Sequence, residues 1–235
     1  MKCMIKMGIL GAVLFGITAC ANNDSGAGSS NPSSTESADF ARSVEPSTDL
    51  ASKFGRTLVV YFSQPETEDP DNMTTEEDNS ATVVDGKVLG NVQFVGQTIQ
   101  ENIGADIFRI EPAEPYPTDH EKLVDLASKE QEDNVRPALA ATIDTIDEYD
   151  TIFVGYPNWW GDMPMVLYTF LDEHDLSGKT VIPFNVHGGS GFSDTIASIA
   201  KEEPEATVVE EGYSVNRNDV DDSEPEIVKW LNRLP

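Results

Sequence analysis

The sequence predicts an α/β protein built on a doubly wound, five-stranded parallel sheet with helices on both faces. Residues 57–62, 151–154 and 180–184 are short, almost uninterrupted β-favouring runs, the pattern of strands covered on both sides. Between them apolar residues recur at spacings of three and four, the period of a helix packed on one face. Strand and helix alternating in this way imply right-handed crossovers and a parallel sheet.

The 235 residues, 39% of them hydrophobic, provide for one core and hence one domain with appendages. At the N-terminus Lys2 and Lys6 precede an apolar run over residues 7–17, followed by Thr18-Ala19-Cys20. Basic, apolar and small-residue stretches in that order read as a signal peptide over 1–19. The apolar run is too short to span a bilayer, which takes about 20 residues. Ile17-Thr18-Ala19-Cys20 resembles the lipobox of bacterial lipoproteins, which implies lipidation of Cys20 and an exported protein anchored to the cell membrane by its lipid alone. An ordinary secreted protein with a chance cysteine at that place is the alternative. From Cys20 to residue 53 the composition turns to Ser, Asn, Pro, Thr, Gly and acids, so 20–53 read as a disordered linker and 54–235 as the folded domain.

Within that domain the first strand, 57–62, leads to a helix carrying Val92, Val95, Ile99 and Ile103 on one face, with Gly104 as its C-cap. Residues 106–111 form a weaker strand, and Leu123, Leu126 and Ala127 mark the next helix. After strand 151–154 come Val166, Leu167, Phe170 and Leu171 on a third helix, and after strand 180–184 a fourth over 193–201. A weak fifth strand at 207–209 precedes a last helix, where Ser223 and Glu226 suggest a capping box and Ile227, Trp230, Leu231 and Leu234 share a face.

Charge and cysteine usage narrow the function classes. The formal net charge of −27 argues against nucleic acid as a partner, because a phosphate backbone would be repelled. Both cysteines, Cys3 and Cys20, precede the folded domain, so no disulfide is expected within it; His120, His174 and His187 are scattered, so no metal site is expected.

Ligands of parallel sheets bind beyond the carboxyl ends of the strands, which directs attention to the loops after residues 62, 154 and 184. The second of these, residues 155–164, carries the adjacent Trp159 and Trp160. Neighbouring side chains point in different directions, so at least one indole should line a surface or cleft and offer a flat wall to a planar ligand. The third, residues 185–192, holds Gly188, Gly189 and Gly191, which allow close backbone approach to a ligand.

Taken in order, Val-Tyr-Phe-Ser at 60–63, Tyr-Asp-Thr-Ile-Phe-Val-Gly-Tyr-Pro at 149–157, Trp-Trp-Gly at 159–161, Met-Pro-Met at 163–165, Leu-Ser-Gly-Lys-Thr at 176–180 and His-Gly-Gly-Ser-Gly at 187–191 resemble the flavodoxin family over residues 56–234. The resemblance implies FMN held by the three loops. Ser63, Gly90, Asn91 and Val92 would hold the phosphate at the N-terminus of the first long helix, where free N–H groups and the dipole favour an anion. Pro157, Asn158, Trp159, Trp160 and Gly161 would flank the isoalloxazine ring, and His187, Gly188, Gly189, Ser190 and Gly191 would meet its pyrimidine edge.

One departure from the family pattern stands out. The usual phosphate loop is compact, whereas here an acidic insertion, 64–89, with an Asp85-Gly86 hairpin signal separates Ser63 from Gly90. Val92 also replaces the usual threonine, removing one phosphate hydroxyl. The insertion could weaken the grip on FMN or fold over it as a lid. No catalytic residue is assigned: Ser190 lacks a Gly-x-Ser-x-Gly elbow, and His187 reads as a hydrogen-bonding loop residue.

The function implied is an FMN-binding redox protein at the cell envelope, active in electron transfer or NAD(P)H-linked oxidoreduction with a redox partner protein or a small-molecule donor or acceptor. The alternative is a cofactor-free binding protein that keeps the fold.

Overall fold

The computed structural model describes residues 48–235; the leader 1–19, the lipidation site Cys20 and the linker through residue 47 lie outside the described residues. In chain order the elements are α1 (Thr48–Lys53), β1 (Thr57–Tyr61), α2 (Thr75–Ser80), β2 (Ala81–Val84), β3 (Lys87–Gly90), α3 (Asn91–Ile103), β4 (Asp106–Arg109), α4 (His120–Glu132), β5 (Thr151–Pro157), α5 (Met165–Glu173), β6 (Thr180–His187), α6 (Thr195–Glu202), β7 (Thr207–Val208), β8 (Tyr213–Asn216) and α7 (Glu224–Arg233). None of the described helices is long and apolar enough to cross a membrane.

The main sheet runs β4-β1-β5-β6, with β7 and β8 following one another along the outer edge of β6, and every pairing in it is parallel. From β1 the chain crosses outward to β4 and then returns to β1's other side at β5. The order therefore reverses between β1 and β5, and the crevice beyond their carboxyl ends is where a ligand site belongs.

β1 and β5 are buried almost throughout because helices cover both faces. Alternation sends Leu58, Val60 and Phe62 to one side, where Leu123 of α4, Val166, Leu167 and Phe170 of α5, and Ile199 of α6 pack. Val59 and Tyr61 face the other side, against Val92, Val95 and Ile99 of α3 and Ile227, Trp230 and Leu231 of α7. Each fully buried side chain of this size contributes about 1.5–3 kcal/mol relative to exposure. β4, at the sheet edge, stays largely exposed, which accounts for its weak apolar signature.

The expected fifth strand is divided. β7 covers Thr180 and Val181 of β6, and β8 covers Phe184 to His187, leaving a gap opposite residues 182–183. Val209 N–H donates to Val181 C=O at 2.8 Å, so Val181 faces this edge and, two residues on, so does Pro183. Pro183 has no N–H to give the ladder, and its vacant donor position coincides with the interruption.

Three sequence expectations are corrected in detail. Ser223 precedes α7 but makes no side-chain cap; its hydroxyl donates to Val220 C=O at 2.7 Å, so the capping box with Glu226 does not form. Residues 48–53, assigned to the linker by composition, form α1, whose Leu50 is buried with Phe54 against the α3–α7 side of the sheet. Lys53 Nζ donates to the carbonyls of Leu231 and Asn232 at 3.2 and 3.1 Å, satisfying acceptors at the end of α7. The fifth strand, expected at 207–209, continues after its gap as β8.

The insertion is structured. α2 begins with a complete capping box between Thr74 and Glu77, and β2 and β3 form an antiparallel hairpin in which Ala81 pairs with Gly90. Asp85 and Gly86 both have positive φ, 50° and 76°, as a two-residue type I′ turn requires. The hairpin thus leaves Ser63's neighbourhood and returns the chain to the start of α3.

Candidate functional site

A cavity of about 250 Å³ opens beyond the carboxyl ends of β1, β5 and β6. Nine of the residues expected there line it, namely Ser63, Asn91, Val92, Pro157, Asn158, Trp159, Trp160, His187 and Gly188. Gly90, Gly161, Gly189, Ser190 and Gly191 do not line it.

Gly90 is the N-cap of α3 and has no side chain to satisfy the helix's first N–H groups. A Cβ there would overlap Ser63 Oγ and approach Pro65 Cδ and Ser63 Cβ at 3.1 Å, so glycine is what lets the β1 loop lie against the helix start. Asn91, the first residue of α3, donates its amide to Asn79 C=O at 3.0 Å. Its Oδ1 is buried with no partner, an acceptor beside the cavity awaiting an O–H or N–H donor. Arg109 at the end of β4 donates to Ser63 C=O at 3.1 Å, placing a guanidinium behind this corner.

The two indoles divide their work. Trp159 makes edge-on contacts with Phe62 at 5.4 Å and Tyr116 at 5.6 Å, which fix it between the core and the cavity. Trp160 is 60% exposed, and its Nε1–H donates to Val124 C=O on α4 at 3.3 Å. Trp159 and Asp162 exchange backbone hydrogen bonds at 2.8 and 3.0 Å, and between them Trp160 and Gly161 sit at φ 52° and 80°. This is a type I′ turn with tryptophan where asparagine is preferred, a strained choice of the kind found at functional positions.

Asn158 ties this loop to the next. Its amide donates to Gly191 C=O at 3.0 Å and to Ser193 Oγ at 3.1 Å, while its Oδ1 accepts from Gly161 N–H at 3.1 Å. Asn185, wholly buried in β6, donates to the same Gly191 carbonyl at 2.8 Å. His187 Nδ1 accepts from Gly189 N–H at 2.8 Å, leaving Nε2 to carry the proton in the neutral ring. Burial holds His187 below its ordinary pKa, opposed by nearby Asp219.

The sequence reading missed the far wall. Glu66 from the insertion, its side chain 8% exposed, meets His120 Nδ1 at the start of α4 at 2.9 Å. Burial raises the pKa of the Glu66 carboxyl, and the His120 contact works against that rise. Asn79 and Ser80 of α2, Leu123, Val124 and Ala127 of α4, and Arg217 after β8 complete the lining. The insertion therefore supplies part of the cavity lining and touches the start of α4 through Glu66 and His120. The helix face of Leu123 and Ala127 was legible as apolar, but only the crossover of α4 over β1 turns it toward the loops. His174 lies elsewhere, in the core; it accepts from Ile143 N–H at Nε2, 3.1 Å away, with Nδ1 2.8 Å from Phe170 C=O. Among the described residues no group of three or more His, Cys, Asp or Glu side chains could hold a metal ion.

The sequence model of the flavodoxin family matches residues 83–234, more than half of the chain. The chain belongs to the flavodoxin family. Among solved structures, a provisionally named flavoprotein from Bacteroides eggerthii DSM 20697 is similar at 28% identity and a TM-score of 0.57, covering 76% of this chain and 96% of that one. A second from Bacteroides uniformis ATCC 8492 shares 26% identity with a TM-score of 0.58, covering 77% of this chain and all of its own. A flavoprotein from Lactobacillus acidophilus NCFM, solved in complex with FMN, shares the fold at 19% identity and a TM-score of 0.50, covering 72% of this chain and 97% of that one. None of the curated proteins matches the chain by sequence. The family match begins inside β2, so β1, Ser63 and the first part of the insertion precede it.

Proposed function

We propose that this chain binds FMN in the cavity and serves as a redox protein of the cell envelope, held to the membrane by a lipid on Cys20. One observation carries the reading: the uncapped N-terminus of α3 and the indoles of Trp159 and Trp160 line one cavity at the point where the strand order reverses. An anion-binding corner and a flat aromatic wall together suit a phosphorylated, planar ligand.

The residues present fit FMN. The N-terminal N–H groups of α3 and Ser63 Oγ suit the phosphate. The unpartnered Asn91 Oδ1 suits a ribityl hydroxyl. Trp159 and Trp160 flank the ring, and His187 and Gly188, at the start of a loop fixed through Asn158 and Asn185, meet the pyrimidine edge. When bound, FMN supplies one- and two-electron chemistry, while the protein sets its binding, orientation and electrostatics.

Purified mature protein tests this. The expected result is a yellow protein that keeps FMN through gel filtration, or a colourless one that binds added FMN stoichiometrically; a protein that refuses FMN refutes the reading. The second reading, a cofactor-free binding protein, draws on the aliphatic Val92 at the phosphate corner, and refusal of FMN is its positive result. Bleaching by NADH or NADPH separates an oxidoreductase from an electron carrier that needs a protein or other small-molecule partner. For the anchor, Cys20→Ala should release the exported protein from the membrane fraction, and unchanged membrane association would exclude lipidation there.

A further inference from the structure

Arg217 is the one permanent cation among the residues lining the cavity, in a chain whose formal net charge is −27. Its guanidinium makes no hydrogen bond or ion pair with any described residue. Its place is set by the end of β8: Asn216 pairs with His187 across the sheet, and Asn216 Oδ1 accepts from Asn218 N–H at 3.0 Å, turning the chain at Arg217. The guanidinium then lies over Gly188, where even a methyl group would meet Cζ and Nη1 at 3.4 Å. The guanidinium therefore stands beside the loop assigned to the pyrimidine edge of the flavin.

We infer that Arg217 tunes the reduction potential of the bound flavin by receiving the negative charge that reduction places on the pyrimidine end of the ring. The inference rests on the FMN reading above. Adding two electrons from a reductant and one proton from solvent to neutral oxidised FMN leaves one negative charge on its ring system. A guanidinium at that end binds the reduced anion more tightly than the neutral oxidised ring. The strongly acidic chain acts in the opposite direction, disfavouring added negative charge, so Arg217 supplies local relief in an otherwise hostile field.

The test uses mature holoprotein together with Arg217→Gln and Arg217→Lys, checked for unchanged melting. Dissociation constants for oxidised FMN come from fluorescence quenching, and the two-electron potential from dye-equilibrated titration. Arg217→Gln should weaken binding of the reduced form about tenfold more than that of the oxidised form, a fall in potential of about 30 mV for a two-electron couple. Arg217→Lys should retain most of the effect, because it keeps the charge. Equal changes in both affinities, or no change in potential, would overturn the inference while leaving FMN binding intact. A wild-type protein that binds no FMN overturns the parent reading and this one together, and that outcome is seen before any variant is made.

Discussion

Val92→Thr restores a hydroxyl at the phosphate corner and separates two consequences of one atom change. Val92 is the second residue of α3, is 2% exposed, and belongs both to the cavity lining and to the core on the α3–α7 side of the sheet. Threonine has nearly the same shape but replaces a methyl with a group that needs a partner. Without ligand, burying that hydroxyl should cost about 1–3 kcal/mol of stability. With FMN bound, a hydrogen bond to the charged phosphate contributes about 1.5–3 kcal/mol, a tightening of about 10- to 150-fold. Urea denaturation of the apoprotein reads the first number, and FMN fluorescence titration reads the second. Loss of apoprotein stability with no gain in affinity would refute the placement of the phosphate at α3; unchanged stability would refute the burial of Val92.

Other perturbations test separate parts of the structure. Gly155→Ala places a methyl group into the Phe184 ring in the middle of the sheet, with Cε1 at 2.8 Å, and should cost about 3 kcal/mol or more in urea denaturation; a smaller loss would mean that β5 and β6 are not in close contact there. Trp160→Asn creates the Asn-Gly pair that a type I′ turn prefers, and should relieve about 1–2 kcal/mol of backbone strain. Its thermal midpoint should therefore rise while FMN affinity falls, and a variant that keeps full affinity would remove Trp160 from the binding wall. Glu203 is buried beside Leu176 N–H, and burial pushes its carboxyl up to about 7 from an ordinary value of 4.5. The folded state thus holds a proton that the unfolded state has released, so stability should fall as pH rises from 4.5 to about 7. Glu203→Gln should flatten that decline in denaturation measured across the window, and an unchanged slope would assign the decline elsewhere.

Much of the fold was legible because its signals are local. The runs at β1, β5 and β6 are apolar on both faces, and Gly104 closes α3 at φ 67° with its N–H on Gln100 C=O, as the sequence suggested. The Asp85-Gly86 turn announced its hairpin for the same reason, since few residue pairs adopt two positive φ angles. β8 escaped notice because only Val215 among its residues is buried and its pairing with β6 depends on partners about thirty residues away. The capping box at Ser223 failed because Val220 C=O offers its hydroxyl a competing acceptor.

The candidate site divides along the same line. The Trp159-Trp160 pair and the loop containing His187 could be named from the sequence, because strand ends converge on one edge of a parallel sheet, and Ser63 and Asn91 from the resemblance to the flavodoxin family. Glu66, His120 and Arg217 could not. They reach the cavity from an insertion, a helix and the end of a divided strand, and only the packing of those elements brings them together. Local periodicity and turn chemistry act over a few residues, so the chain alone determined the layered α/β architecture and the three loops. Which charges face the ligand is set by contacts between distant segments, and that was decided by the tertiary structure.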